Sequence, residues 1–463
     1  MRIGSTNGSR VLLQAILLTL PLACGPEPEG DPSRPNVLVI YCDDLRFDGA
    51  GALGSPFLPT PNVDRLAQEG LIFERSYTTT SRCCPSRATF LTGVRASTHG
   101  IWVNRSPVDW QSGRPLLAEE LQKGGYRTAW VGKWHLPNPG AMPVRGFDHF
   151  ASYEGPGNHF DQTFVVDGES RASQGFQADV IHALATDFID EGEGSPWFLV
   201  LGHKAPHVPL TPAPEFVGAL KNVNVPLPES MDDPLASLPA RYQSSRVGEG
   251  GRHGISERAE WHEEVRAYWE LVLSLDASIG VLLEELEARG VLENTLLILT
   301  SDNGQLLGEH GLQQKGLAYE PSIRVPLIMR DGPRGDRGVR RGLVTNLDLA
   351  PTILERVGLP IPPAFEGRSF VDQMQDAAVP GQPRFLYQAP AFGGDTGVVE
   401  RGVIEADWKY LVFEAPGVKA EALFHLASDP DEREDLAKDP RHKKVRDRLA
   451  TWLAAERARI AKD

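Results

Sequence analysis

Residues 36–44 read NVLVIYCDD, an apolar run that stops abruptly at two aspartates. A run with no polar alternation fits a strand buried on both faces of a parallel sheet. In such sheets ligands bind outside the carboxyl ends of the strands. This stretch therefore sets an α/β fold and points to Asp43 and Asp44 as the place to look for chemistry.

The same grammar repeats outward. PNVDRLAQEG (61–70) starts a helix with Pro61 and Asn62 near its cap, and GLIFERSYTT (70–79) reads as the next strand. PSRATFLTG (85–93) opens another helix, and LLAEELQKGG (116–125) is helical with a glycine stop. YRTAWVGKWHL (126–136) is a strand running into Lys133 and His135, and PWFLVLGHKAPHVPL (196–210) is a strand followed by a loop with His203 and His207. In WHEEVRAYWELVLSLDASIGVLLEELEARG (261–290), Val265, Trp269, Val272, Leu275, Ile279, Leu282 and Leu286 recur at helical steps, and Gly290 closes the helix. TLLILTSDNG (295–304) is a strand ending in Asp302 and Asn303, and IRVPLIMR (323–330) is one more. The alternation predicts an α/β domain over residues 35–375, a large, mostly parallel sheet sandwiched by helices. Residues 212–254, rich in Pro, Ser and Gly, read as a long surface excursion. Residues 380–463 read as a smaller α+β subdomain with a short antiparallel sheet and a charged terminal helix.

The first 24 residues read as an export signal: Arg2 and Arg10, then VLLQAILLTLPLA, then Cys24. PLAC points to a lipoprotein signal with Cys24 as the lipidated residue, with simple secretion as the alternative. Residues 25–34 are a Pro-rich linker. The expected location is periplasmic or outer-surface, touching a membrane only through such an anchor. The net charge of −15 and pI near 5.3 exclude a nucleic-acid partner, since phosphate binding needs a basic surface. Without Cys24 three cysteines remain, Cys42, Cys83 and Cys84, too few and too close together for a disulfide framework.

Acids, an amide, histidines and a lysine thus gather at predicted strand ends. Asp43, Asp44, Asp302 and Asn303 form an all-oxygen set, which favours Ca2+, with Mg2+ second, over zinc or copper. Crowded carboxylates repel one another unless a cation joins them.

At this point the sequence resembles the type I sulfatases of the alkaline phosphatase superfamily. The resemblance rests on the C-x-P-S-R signature at Cys83-Cys84-Pro85-Ser86-Arg87, continued by ATFLTG. NVLVIYCDD, GYRTAWVGKWHL, HKAPHVP and TSDNGQLLGEHGLQQKGLAYEPSIRVPLI follow the family's order, and DWKYLVF with LFHLASDPDEREDLA resembles its C-terminal subdomain. The doublet at Cys83-Cys84 has the flavour of the glucosamine-6-sulfatase branch and its bacterial relatives.

The resemblance implies a sulfuric ester hydrolase whose nucleophile is a Cα-formylglycine made from Cys83 by a formylglycine-generating maturation enzyme. It implies metal binding by Asp43, Asp44, Asp302, Asn303 and the modified Cys83, with calcium expected. Arg87 then holds the aldehyde hydrate, and Lys133 and Lys315 clamp the sulfate. His135 assists the second hydroxyl, and His207 donates a proton to the leaving alcohol. His203, His310 and Asn104 are candidates for substrate contact, while Trp102, Trp110 and His159 read first as core packing and second as a saccharide subsite. The expected partner is a sulfated saccharide or glycan. The rival readings are a phosphonate monoester hydrolase or phosphodiesterase of the same superfamily, and a non-catalytic sulfated-glycan binding protein.

Overall fold

The computed structural model describes residues 34–104, 106, 113–136, 144–192, 194–233, 258–332, 335–390 and 398–460. The signal segment with Cys24, and Trp110, lie outside the described residues.

Strands β1 (Asn36–Asp43), β2 (Leu71–Phe73), β3 (Ser76–Tyr77), β4 (Arg127–Gly132), β5 (His149–Ser152), β6 (Thr163–Val166), β7 (Glu169–Ala172), β8 (Trp197–Pro206) and β9 (Thr295–Ser301) come first in the chain. They are followed by β10 (Leu306–Leu307), β11 (Gln313–Gln314), β12 (Leu327–Asp331), β13 (Gly338–Arg340) and β14 (Val344–Thr345). The main sheet has ten strands among the described residues, ordered β13-β2-β12-β9-β1-β8-β4-β5-β6-β7. Its centre, β9-β1-β8-β4-β5, is parallel throughout. Both flanks turn antiparallel, through β12 on one side and through β6 and β7 on the other. The sheet is mixed around a parallel heart.

Period-two alternation splits each central strand between two cores. Leu38 and Ile40 of β1 join Leu199 and Leu201 of β8 and Leu297 and Leu299 of β9, under the long helix Arg258–Ala288. Val265, Trp269, Val272, Leu275, Ile279, Leu282 and Leu286 of that helix all face this core. Val37, Val39 and Tyr41 face the other way, onto Ala88, Phe90 and Leu91 of helix α2 (Cys83–Thr92) and Leu117 and Leu121. The helix α1 (Pro61–Glu69) begins at Pro61, and Val63 N–H donates to Asp276 Oδ1 at 2.8 Å, tying it to the long helix.

The structure departs from three sequence expectations. GLIFERSYTT is two strands, not one: Glu74 and Arg75 break it, and β3 pairs with β14 instead of the main sheet. The 212–233 part of the excursion is partly inside, with Leu220 and Val225 buried in the first core; residues 234–254 are outside the described set. The strand before HVP runs on to Pro206, so His203 lies within β8.

The C-terminal sheet is antiparallel, β15 (Arg384–Pro390), β16 (Val399–Glu405), β17 (Trp408–Ala415) and β18 (Val418–His425) in that order. One face packs Tyr387, Leu411, Phe413 and Phe424 onto Tyr77, Leu317 and Ile323 of the first domain. The other packs Leu386, Val403 and Leu423 onto Leu449 and Leu453 of the terminal helix Lys443–Ile460. The seam is pinned by Lys409, fully buried, whose Nζ lies 2.8 Å from both Glu320 Oε1 and Glu432 Oε1. Removing one partner of a buried ion network leaves uncompensated charge. Lys409→Met is therefore expected to cost about 3–5 kcal/mol, read as a lower denaturation midpoint; an unchanged midpoint would show that the seam does not depend on it.

Candidate active site

The strands β1 and β9 run parallel with Cys42 opposite Ser301, so their acidic ends emerge side by side. Asp44 turns out of the strand with φ 69°, a left-handed conformation that short polar side chains tolerate. Its backbone N–H donates to Asp302 Oδ1 at 3.3 Å, and Asn303 Nδ2 donates to Asp44 Oδ1 at 2.6 Å. Helix α2 starts beside them, with Cys83 Sγ 3.3 Å from Asp43 Oδ1. One donor atom each from Asp43, Asp44, Cys83 and Asp302 lies within 4.8 Å of the others, and all four residues are buried. Asn303 Oδ1 points into the structure, buried and without a hydrogen-bond partner. Three carboxylates and an orphaned amide oxygen are a donor set that fits a hard divalent cation.

Cations surround this cluster. Arg87, one turn into α2, holds Asp302 Oδ2 at 2.8 Å, donates to Lys133 O at 2.6 Å and lies over the Tyr41 ring at 5.0 Å. Lys133, just past the end of β4, pairs with Asp43, and Lys315 pairs with Asp44. His207 Nε2 is 3.8 Å from Asp44 Oδ2. Its Nδ1 donates to Val208 O at 2.6 Å, which leaves Nε2 bare and facing the carboxylates.

Burial is the largest influence on Asp43, Asp302, Cys83 and His135. It would raise Asp43, but Lys133, His207, Lys315 and Arg87 outweigh it and hold that carboxyl well below the usual range. Asp302 is pushed up to about 7, because burial and the Asp43 charge exceed the help from Arg87. The Cys83 thiol is driven well above its ordinary value by burial and then by Asp43. An unmodified thiol stays protonated in such a place, and the thiolate is the nucleophilic form. His135 is pushed down to about 2 by burial and by Lys133, so its ring is neutral.

Of the residues singled out in the sequence, Asp43, Asp44, Cys83, Arg87, Lys133, His207, Asp302, Asn303 and Lys315 meet in this one cluster. His135 lies beside it, at φ 59° with Nδ1 buried and unpartnered. Three substrate candidates are elsewhere. His203 is fully buried under helix α5 (Gln177–Asp190), with its Nε2 3.4 Å from His182 Nε2. It belongs to the core because strand alternation turns it away from the cluster. His310 stacks on Tyr319 at 4.3 Å and lines a separate cavity of about 530 Å³ with Arg46 and Trp269. Asn104 Oδ1 accepts the Cys84 N–H at 3.2 Å, so it secures the start of α2. Cys84 Sγ contacts Asn104 O and His135 O, a packing role.

One residue escaped the sequence reading. Lys204, almost fully buried, sits with Nζ 3.5 Å from His207 Nδ1 and donates to Val208 O at 2.8 Å; burial pushes it down to about 8. His159, which the sequence did single out, is buried and its Nε2 donates to the carbonyl of His207 at 2.7 Å, a support for that loop that fits its packing reading. Parity was the missing cue for Lys204: once the strand reaches Pro206, position 204 faces opposite to 203.

Comparison with known proteins agrees with this geometry. Residues 35–359 match the family model described as Sulfatase, and residues 308–459 match N-sulphoglucosamine sulphohydrolase, C-terminal. An N-acetylglucosamine-6-O-sulfatase of Bacteroides thetaiotaomicron is 27% identical, over 95% of this chain and 87% of its own. An arylsulfatase of Clostridium perfringens is 28% identical, over 91% and 94%. A structure solved with its substrate D-glucosamine-2-N,6-O-disulfate superposes with a TM-score of 0.83 at 25% identity, covering 93% of this chain and 99% of the other. With both the sheet and the carboxylate cluster inside the matched segment, the chain belongs to the sulfatase family of the alkaline phosphatase superfamily and is a sulfatase.

Proposed function

We propose that this sulfatase desulfates a sulfated saccharide, using a formylglycine made from Cys83 and a divalent cation, calcium by its donor set. One observation carries the reading: Cys83 stands 3.3 Å from Asp43 inside a buried four-residue donor cluster where its own thiol does not ionise. The saccharide is supported by the 6-O-sulfatase relative and the disulfated glucosamine held by the structural neighbour. A formylglycine supplies a hydrated aldehyde, with one oxygen for attack on sulfur and a second whose ionisation expels sulfate. A bound cation supplies Lewis acidity and charge where sulfate oxygens gather.

The chain's own residues do the rest. Asp43, Asp44, Asp302 and the Asn303 carbonyl oxygen would hold the cation, and Arg87 fixes Asp302 while placing positive charge one turn from the nucleophile. Lys133 and Lys315 bring two ammonium groups to the same wall, point charges suited to an anionic ester. His135 offers a neutral ring beside them. His207, locked as the Nδ1–H tautomer by Val208 O, would take at Nε2 the proton given up by the attacking hydroxyl and pass it to the departing alkoxide.

Sulfate release from defined sulfated monosaccharides, run beside matched phosphate mono- and diesters and with mass spectrometry of the Cys83 peptide, tests the reading. Conversion to formylglycine lowers the peptide mass, and preference for phosphate esters would reject the assignment. His207→Ala is expected to slow unactivated sugar sulfates about 10²–10⁴-fold while an activated aryl sulfate, whose leaving group needs no proton, suffers much less. Equal losses on both would remove His207 from the acid role.

A further inference from the structure

Arg82 stands one residue before Cys83, at the N-cap of α2, on extended backbone (φ −147°, ψ 144°). Its side chain runs along Gly316, the residue after Lys315: a Cβ placed on Gly316 would start 3.5 Å from Arg82 Nη2 and 3.8 Å from Nε. Gly316 has φ 94°, so a side chain there would be strained as well as crowding the guanidinium. Glycine keeps the space beside Arg82 open.

The guanidinium has no hydrogen-bond or ion-pair partner among the described residues, and its Nε is buried without one. Other arginines of the same domain do have partners. Arg46 pairs with Asp48 and Glu309, Arg87 with Asp302, and Arg324 rests on the Phe47 ring and donates to Glu74 O. In a chain of net charge −15, an arginine left without a counter-charge beside a reactive centre calls for a ligand.

The backbone carrying Arg82 is also rigid. Its N–H donates to Thr80 O at 2.8 Å, and Ser81 Oγ is gripped by Tyr387 Oη at 2.8 Å and by Ser322 Oγ at 3.1 Å. A planar fork on a fixed support binds carboxylate or sulfate oxygens in pairs, with little ordering left to do on binding. Gly316 follows directly on Lys315, which pairs with Asp44 in the carboxylate cluster, so the segment that Arg82 runs along also carries a cation of the site.

We propose that Arg82 is a specificity residue that holds a second anionic group, sulfate or carboxylate, of a saccharide whose scissile sulfate lies at Cys83. The inference rests on the sulfatase reading above. It deepens that reading by naming the substrate class: sugars with at least two negative groups.

The experiment compares wild type, Arg82→Ala and Arg82→Lys, all with Cys83 matured, on three substrates. These are N-acetylglucosamine 6-sulfate, D-glucosamine-2-N,6-O-disulfate, and a uronate-linked disaccharide of the 6-sulfated sugar. Loss of one charge-assisted contact is expected to raise KM for a dianionic substrate about 10- to 100-fold more than for the monoanionic one, with kcat ratios little changed and Arg82→Lys in between. A selective loss on the disulfate identifies sulfate as the second group, and one on the uronate identifies carboxylate. Equal losses on all three, or no change on any, overturn the proposal. A variant whose melting temperature falls is replaced by Arg82→Gln, which keeps the hydrogen-bonding shape without the charge. Wild-type turnover of the monosulfated sugar is the control. Its absence counts against the sulfatase reading, whereas turnover with unchanged selectivity counts against Arg82 alone.

Discussion

Cys83→Ala is expected to abolish turnover, by a factor on the order of 10⁵ or more, as deletion of a covalent nucleophile does elsewhere. The fold should survive, because the side chain is small and its one polar contact is to Asp43. Cys84→Ala is the matched control: its sulfur packs in the core and its polar contacts are to backbone carbonyls, so it should cost stability of about 1 kcal/mol and leave most of the activity. Steady-state kinetics and thermal melts of both variants decide between the adjacent positions. Should Cys84→Ala be the inactive one, the nucleophile has been placed on the wrong residue.

Chelation is expected to be nearly as severe. Asp43, Asp44 and Asp302 are packed so tightly that burial and mutual repulsion lift two of them, while Lys133, Lys315 and Arg87 offset part of the charge. A cation binding the folded state alone stabilises it by about 2.7 kcal/mol at a hundredfold excess over Kd. Treatment with a calcium chelator should therefore lower the melting temperature and remove activity together, and added Ca2+ should restore both. Asp302→Asn should erase that calcium-dependent melting shift. It should also free Arg87, fully buried, from its carboxylate partner, at a cost of about 3–5 kcal/mol. A melting temperature indifferent to chelator and to Ca2+ would reject a cation at this cluster.

The heart of the fold was readable because an unbroken apolar run followed by acid is what a doubly covered parallel strand with a functional end requires. NVLVIYCDD and TLLILTSDNG both met that description, and they lie side by side. The antiparallel flank was harder. β7, with the sequence ESRA, is exposed along its whole length, so it carries no apolar pattern. Its hairpin nevertheless had a signal, Asp167-Gly168 with φ 49° and 93°, a tight-turn pair between VV and ES. At the site, residue types and family order placed the acids, Arg87 and both lysines near one another. They could not place His203 or Asn104, because side-chain direction depends on where β8 ends and on which N–H the amide finds. Lys204 was hidden for the same reason: adjacent letters in HKAPHVP point to opposite faces.

Helix α2 is buried at every position from Cys83 to Thr92. No second protein can grasp that segment once β1 and β9 have closed around it. Under the proposed chemistry, oxidation of the thiol therefore belongs to the nascent chain and must finish ahead of compaction. On that proposal, a preparation folded without that step is expected to stay inert even when it is later supplied with cation and maturation machinery.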